Sequence, residues 1–244
     1  MSILETREVS VRFGGHMAVD SVTLAVDEGA ITGLIGPNGA GKTTTFNAIT
    51  GLQAPTHGKI FLDGVDITST SAHQRARSGI ARTFQRLELF GSLTVRENVL
   101  VAAELHATDA ASPAQITHAL LERVGLDHLA DQRGDSLSTG LARLVELARA
   151  LACRPKVLLL DEPASGLDEE ETDRFAEILT SLADGGLAVL LVEHDVPLVM
   201  RLCQQITVLN FGKVLATGSP LQIQKDPEVI DAYLGQGATV GESR

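Results

Sequence analysis

Three features of the chain predict an α/β fold. A glycine-rich loop joins a short apolar strand to a helix, buried strands later alternate with amphipathic helices, and two strands open the chain around a glycine turn. Residues 4–13 and 20–26 read as the opening strands flanking Gly14-Gly15. Residues 31–35 read as a buried strand, and residues 43–50 continue helically until Gly51 stops them. Residues 58–62 form a further strand, closed by the Asp63-Gly64 tight-turn pair. From 86 to 152 the pattern becomes helical. Thr94-Val95-Arg96-Glu97 is a capping box for a helix toward Leu105, and Ser112-Pro113 caps a second helix ending near Gly125, with Ile116, Leu120 and Val124 on one face. Ser138 caps a third that carries Leu144, Leu147, Ala148 and Leu151. Strand 157–160, helix 169–184, strand 188–192 and a hairpin over 206–216 turning at Phe211-Gly212 complete the alternation.

The joining loop, Gly36-Pro37-Asn38-Gly39-Ala40-Gly41-Lys42-Thr43, fits G-x-x-x-x-G-K-[ST]. Its glycines let backbone N–H groups curl inward at a helix N-terminus, where the helix dipole favours phosphate. Lys42 can reach the terminal phosphates, and the Thr43 hydroxyl is a hard oxygen ligand suited to magnesium. Nucleotide binding is therefore the first expectation, although the loop alone fits transporter ATPases, kinases and GTPases alike. Asp161-Glu162 follows the apolar strand 157–160, at the carboxyl end where open α/β sheets bind ligands. Asp161 is expected to hold magnesium directly or through water, and Glu162 to polarise a water for attack on the γ-phosphoryl group. Glu169, Glu170 and Glu171 read as a solvated run matched to the positive end of their helix.

Composition narrows the partners. The formal net charge of −11 argues against nucleic acid, because phosphate backbones attract clustered Lys and Arg. The segment Met1-Ser2-Ile3-Leu4-Glu5 has no leader character, and the most apolar runs are far shorter than the ~20 residues of a membrane span. Any membrane association is expected through partners. Cys153 and Cys203 lack C-x-x-C spacing and read as reduced core thiols.

Beside the loop and Asp161-Glu162, the chain presents Thr83-Phe84-Gln85, Leu137-Ser138-Thr139-Gly140, Ser165-Gly166-Leu167-Asp168 and Glu193-His194-Asp195 in order. In these segments it resembles the ATP-binding subunits of ABC transporters. The resemblance implies a P-loop ABC ATPase fold: a RecA-like core, an N-terminal antiparallel β-subdomain and an inserted α-helical subdomain. One cassette would span 1–235, with core 1–85 and 153–216, helical section about 86–152, C-terminal hairpin and helix about 206–235, and a loose tail at 236–244.

It further implies ATP and Mg²⁺ as ligands. Phe13 would stack on adenine, and Gly36, Pro37, Asn38, Gly39, Ala40, Gly41, Lys42, Thr43 and Thr44 would hold the phosphates. Lys42, Gln85, Glu162 and His194 would act in catalysis, with Thr43, Gln85 and Asp161 around the metal. Ser138 and Gly140 would close over nucleotide held by a second ATP-binding subunit. Thr139 stands where the family has glycine, and Leu141 where it often has glutamine. These departures fall on the opposite site, so a different second ATPase would leave this chain's own site intact, whereas a homodimer would have both altered.

Phe13-Gly14-Gly15 with Ala18-Val19-Asp20, Arg82-Thr83-Phe84-Gln85 with Leu89-Phe90, Leu93-Thr94-Val95 with Glu97-Asn98-Val99, and the ending Asp226-Pro227-Glu228-Val229-Ile230 with Ala232-Tyr233-Leu234-Gly235 resemble the branched-chain amino acid importer branch. That branch implies two permeases, a second ATP-binding subunit, an extracytoplasmic solute-binding protein and a place on the cytoplasmic face of the membrane. Lipid or polysaccharide export, and a low-turnover nucleotide switch or scaffold, are the rival readings. A DNA-repair ATPase would need a long coiled-coil insertion, and no N-K-x-D stretch supports a GTPase.

Overall fold

Alternating apolar residues with turn chemistry at the ends build two sheets around a shared interior. A computed structural model describes residues 1–105 and 111–234, with side chains to 232; the expected tail at 236–244 lies outside them. Strands β1 (Ser2–Phe13), β2 (His16–Asp27), β4 (His57–Leu62) and β5 (Val65–Asp66) form an antiparallel sheet in the order β2-β1-β4-β5. The second opening strand begins at His16, not at residue 20, because Phe13 pairs directly with His16 across the Gly14-Gly15 turn. The other sheet has the order β10-β9-β3-β8-β7-β6, from β3 (Ile31–Ile35), β6 (Ile80–Arg82), β7 (Val157–Asp161), β8 (Ala188–Val192), β9 (Gln205–Asn210) and β10 (Lys213–Gly218). Only β10 runs antiparallel to its neighbour in this sheet.

Both faces of the central parallel strands are buried, so they read as continuous apolar runs. Leu158 and Leu160 of β7, with Val189 and Leu191 of β8, face one core; Val157, Leu159, Ala188, Leu190 and Val192 face the other. The first core also takes in α3 (Val95–Leu105), α4 (Pro113–Arg123), α5 (Thr139–Ala152) and α6 (Glu169–Asp184). The second packs the antiparallel sheet and Phe46 and Ile49 of α1 (Lys42–Thr50) against the parallel one.

The caps fall where hydroxyl and carboxyl side chains can satisfy free N–H groups. Ser112 with Gln115 and Asp168 with Glu171 form capping boxes, and Gly51 ends α1 in the left-handed region at φ 79°. Ile116 and Leu120 of α4 pack half-buried against the first core and Val124 is buried just beyond its end, as the expected apolar face requires, with Thr117 and Leu121 fully buried beside them. The expectation of two core thiols needs correction. Cys153 is partly exposed at the end of α5, whereas Cys203 is buried. Helices α2 (Ala72–Ser78) and α7 (Val196–Leu202) and strand β6 were not foreseen.

Arg75 on α2 is 1% exposed and pairs with no carboxylate among the described residues. Its guanidinium donates to the carbonyls of Ala48 at 2.6 Å, Ile49 at 2.8 Å, Thr68 at 2.8 Å and Thr70 at 3.1 Å. It thereby caps the C-terminal end of α1, where orphan carbonyls and the negative end of the dipole favour a cation.

Candidate active site

The parallel register brings the chemical residues to one edge of the sheet. Ile35 pairs with Val208, Leu160 with Leu191 and Asp161 with Val192, while Arg82 pairs with Leu159. Gly36, Gln85, Glu162 and His194 therefore leave neighbouring strands at their carboxyl ends, the usual ligand edge of such sheets.

The loop after β3 depends on missing side chains. At Gly36, φ is 151° and a Cβ would lie 2.2 Å from the Leu209 carbonyl oxygen; at Gly41, φ is 104° and a Cβ would lie 2.7 Å from the Ala18 carbonyl oxygen. Lys42, buried at the first position of α1, donates through Nζ to the Gly36 carbonyl at 2.7 Å and the Pro37 carbonyl at 3.1 Å. Burial pushes its ammonium below the ordinary lysine range, and the Glu162 and Asp161 carboxylates pull it back up. Two acids thus act on this lysine. Lys42→Ala removes the loop's internal cation and is expected to weaken ATP binding by at least about tenfold, the scale of one charged hydrogen bond. An affinity within twofold of the parent, by titration with a fluorescent ATP analogue, would refute this.

Glu162 sits in the left-handed region at φ 50°, uncommon for a residue with a side chain and a mark of a constrained position. Its N–H donates to the Val192 carbonyl at 2.8 Å, tying the turn to β8. Its carboxylate is held from both sides: Gln85 Nε2 donates to Oε2 at 2.8 Å, and His194 Nε2 lies 2.6 Å from Oε1. The Glu162 side chain is 15% exposed and that of His194 44%, so the carboxylate is recessed behind the imidazole. Gln85, Glu162 and His194 thus converge, and Lys42 lies within electrostatic reach of Glu162 and Asp161.

Oxygen donors suited to magnesium are present. The Thr43 hydroxyl enters no hydrogen bond among the described residues, Gln85 uses only its amide nitrogen toward Glu162, and Asp161 uses only Oδ2, toward Arg82 at 2.7 Å. The remaining oxygens form a hard set that fits the ion. Phe13 ends β1 half exposed, while Ser138 and Gly140 lie apart at the start of α5 and share no hydrogen bond with the loop. Here Glu171 departs from the solvated role expected of it. Its carboxylate accepts from the Ser138 hydroxyl at 3.3 Å, and a Cβ at Gly140 would lie 2.3 Å from its oxygen. Thr139 and Leu141 flank this contact, and Leu141 packs partly against the core.

Several contributors had no role assigned from the sequence. Glu193, only 4% exposed, accepts from the Ala164 N–H at 2.7 Å and the His194 N–H at 3.1 Å, fixing the turns after β7 and β8 to each other. Burial pushes its carboxyl above the ordinary range, against those hydrogen bonds. Arg143 on α5 donates to the Phe84 carbonyl at 3.0 Å and the Gln85 carbonyl at 2.6 Å, and pairs with Glu146 at 3.0 Å. Glu146 in turn accepts from the Glu88 N–H at 2.5 Å.

The ABC transporter family profile matches residues 19–165, a span that holds the loop, Gln85, Ser138 and the Asp161-Glu162 pair. The chain belongs to the ABC transporter family. A second profile, described as a branched-chain amino acid ATP-binding cassette transporter, matches residues 213–239. The chain is 42% identical to the high-affinity branched-chain amino acid transport ATP-binding protein BraF of Pseudomonas aeruginosa, over 96% of this chain and 98% of that one. It is 41% identical to the counterpart LivG of Escherichia coli K12, with the same coverage. It is also 39% identical to the lipopolysaccharide export ATP-binding protein LptB of Haemophilus influenzae, over 97% and 98%. Among solved structures, a nucleotide-free ABC cassette superposes with a TM-score of 0.86 at 30% identity, covering 96% of this chain and 99% of that one. A cassette in its ADP conformation gives 0.87 at the same identity and coverage. The fold is that of an ABC ATPase cassette, and the chain is a nucleotide-binding ATPase subunit of an ABC transporter. Among its described residues no helix is long and apolar enough to cross a membrane.

Proposed function

We propose that this chain powers an importer for branched-chain or related amino acids, hydrolysing ATP with Glu162 as the group that activates water. The observation carrying the hydrolytic part of this reading is the Glu162 carboxylate held between Gln85 and His194, recessed at the sheet edge near the buried Lys42. The loop from Gly36 to Thr44 would hold the phosphates by backbone N–H groups and Lys42, with Phe13 against the base. Glu162 would take a proton from the attacking water, while Gln85 and His194 keep its carboxylate aimed. His194 also offers an imidazole to the γ-phosphate oxygens. Magnesium, when bound among Thr43, Gln85 and Asp161, would supply charge neutralisation for the phosphates. Ser138 and Gly140 would serve a nucleotide held by a second ATP-binding subunit, and the Thr139 and Leu141 departures favour a different subunit over a second copy.

A groove between α3, α5 and the segment after β6 supports the docking of a permease. Phe84, Phe90, Val101 and Leu105 line it, all substantially exposed, with Leu52 exposed nearby. Such a patch, on a chain whose described residues include no helix long and apolar enough to cross a membrane, is suited to a membrane partner's apolar segment. Two permeases and an extracytoplasmic solute-binding protein would complete the complex, placing this chain on the cytoplasmic face of the membrane. Import is favoured over the lipopolysaccharide export named for one relative because residues 213–239 match the branched-chain profile.

Gentle detergent purification of the tagged chain from its native membranes, with partners identified by mass spectrometry, tests this. Two permeases and a second ATPase are the expected companions. Recovery alone would favour a soluble switch, and recovery with lipid-export components would overturn import.

A further inference from the structure

We propose that Arg82 is a positioning residue for magnesium: it holds the Asp161 carboxylate and helix α1 at a fixed separation, so that Asp161 and Thr43 present their oxygens to one ion. This rests on the reading of Asp161 and Thr43 as the metal side of the site.

Arg82 ends the edge strand β6, three residues before Gln85. Its side chain is 7% exposed and that of Asp161 4%. One arm of the guanidinium, Nη2, donates to Asp161 Oδ2 at 2.7 Å; the other, Nη1, donates to Asn47 Oδ1 at 2.6 Å. Asn47 lies on α1 four residues after Thr43, so the two side chains share one helix face. The fork therefore spans from the end of β7 to the same face of α1 that carries the Thr43 hydroxyl. Two rings restrain it further, with Phe46 centred 5.4 Å and Phe84 5.0 Å from the guanidinium carbon.

The geometry leaves Asp161 Oδ1 without a hydrogen bond among the described residues, whereas Oδ2 is committed. A planar fork can bridge two acceptors in fixed directions, which a lysine ammonium cannot reproduce. The pair is also expensive to bury, and Arg82 Nε is buried without an acceptor. An ion pair retained at such a cost, beside a carboxylate at the ligand edge, points to orientation of that carboxylate. Groups that orient a metal ligand typically change metal affinity by about 10 to 100-fold when removed.

The test uses the full chain and a fluorescent ATP analogue, titrated without metal and then with magnesium chloride, with thermal unfolding followed in parallel. For Arg82→Lys we expect metal-free affinity to stay within about twofold, while the magnesium concentration for half-maximal tightening rises about tenfold. Asn47→Ala, which leaves the buried ion pair in place and removes only its anchor on α1, is expected to shift magnesium dependence in the same direction by less. It decides the matter if Arg82→Lys does not fold. Magnesium dependence that is unchanged or tightened in the folded variants, even with a lower melting temperature, would overturn the proposal and leave Arg82 a structural residue. Asp161→Asn separates the two levels. If it keeps the parent's magnesium dependence, the assignment of Asp161 to the metal fails; if it loses that dependence while Arg82→Lys and Asn47→Ala keep it, only the role of Arg82 fails.

Discussion

Glu162→Gln is expected to slow ATP turnover by roughly 10² to 10⁴, about 2.7 to 5.5 kcal/mol of barrier, with nucleotide affinity nearly unchanged. The neutral amide keeps the volume of the carboxylate and can still meet Gln85 and His194, but it cannot accept the water's proton. It also removes one of the two negative charges that act on Lys42, so any change in binding should favour nucleotide, whose own charge the carboxylate opposes. Single-turnover hydrolysis with the assembled transporter separates the chemical step from binding and product release. Turnover within threefold of the parent would remove Glu162 from its role and transfer the task to His194.

Arg75→Ala should be the most damaging single change to stability away from the site, by more than about 3 kcal/mol. The guanidinium satisfies two buried carbonyls of α1 and two half-buried ones before α2, and its loss takes a donor from each, although Ala48 keeps the Gly51 N–H. On a chain of this size the melting temperature should fall by roughly 6 to 12 °C. Arg75→Lys should recover only part of this, because an ammonium cannot reach four carbonyls at once. A loss below about 1 kcal/mol by denaturant unfolding would show that water or neighbouring groups replace the guanidinium.

What could be read from the sequence was what local chemistry specifies. The phosphate loop and α1 are fixed by glycines and by the strand that precedes them, and α6 runs from the Asp168 cap to the Gly185-Gly186 stop, matching its expected span. Helix α2 stayed hidden because Ala72–Ser78 carries no apolar stripe: its buried residue is an arginine, invisible to a hydrophobic pattern. Strand β6 has only three residues and borrows its order from β7. Glu171 looked like one of three solvated acids, yet its contact with Ser138 crosses 33 positions. The Arg82 and Asp161 pair crosses 79, so only the fold reveals it. Family resemblance named Gln85 and His194, but it did not say that both grip the same carboxylate.

The grip of Arg143 on the Phe84 and Gln85 carbonyls changes how the molecule should be divided. By chain order, a boundary at 85 separates a core from a helical insertion. By hydrogen bonding, Gln85, whose amide meets the Glu162 carboxylate, is held through its backbone by the helix that Ser138 caps. Gln85 thus belongs as much to α5 as to the end of β6, and a cut at 85 would run through a hydrogen-bonded unit that the helical section and the parallel sheet hold in common.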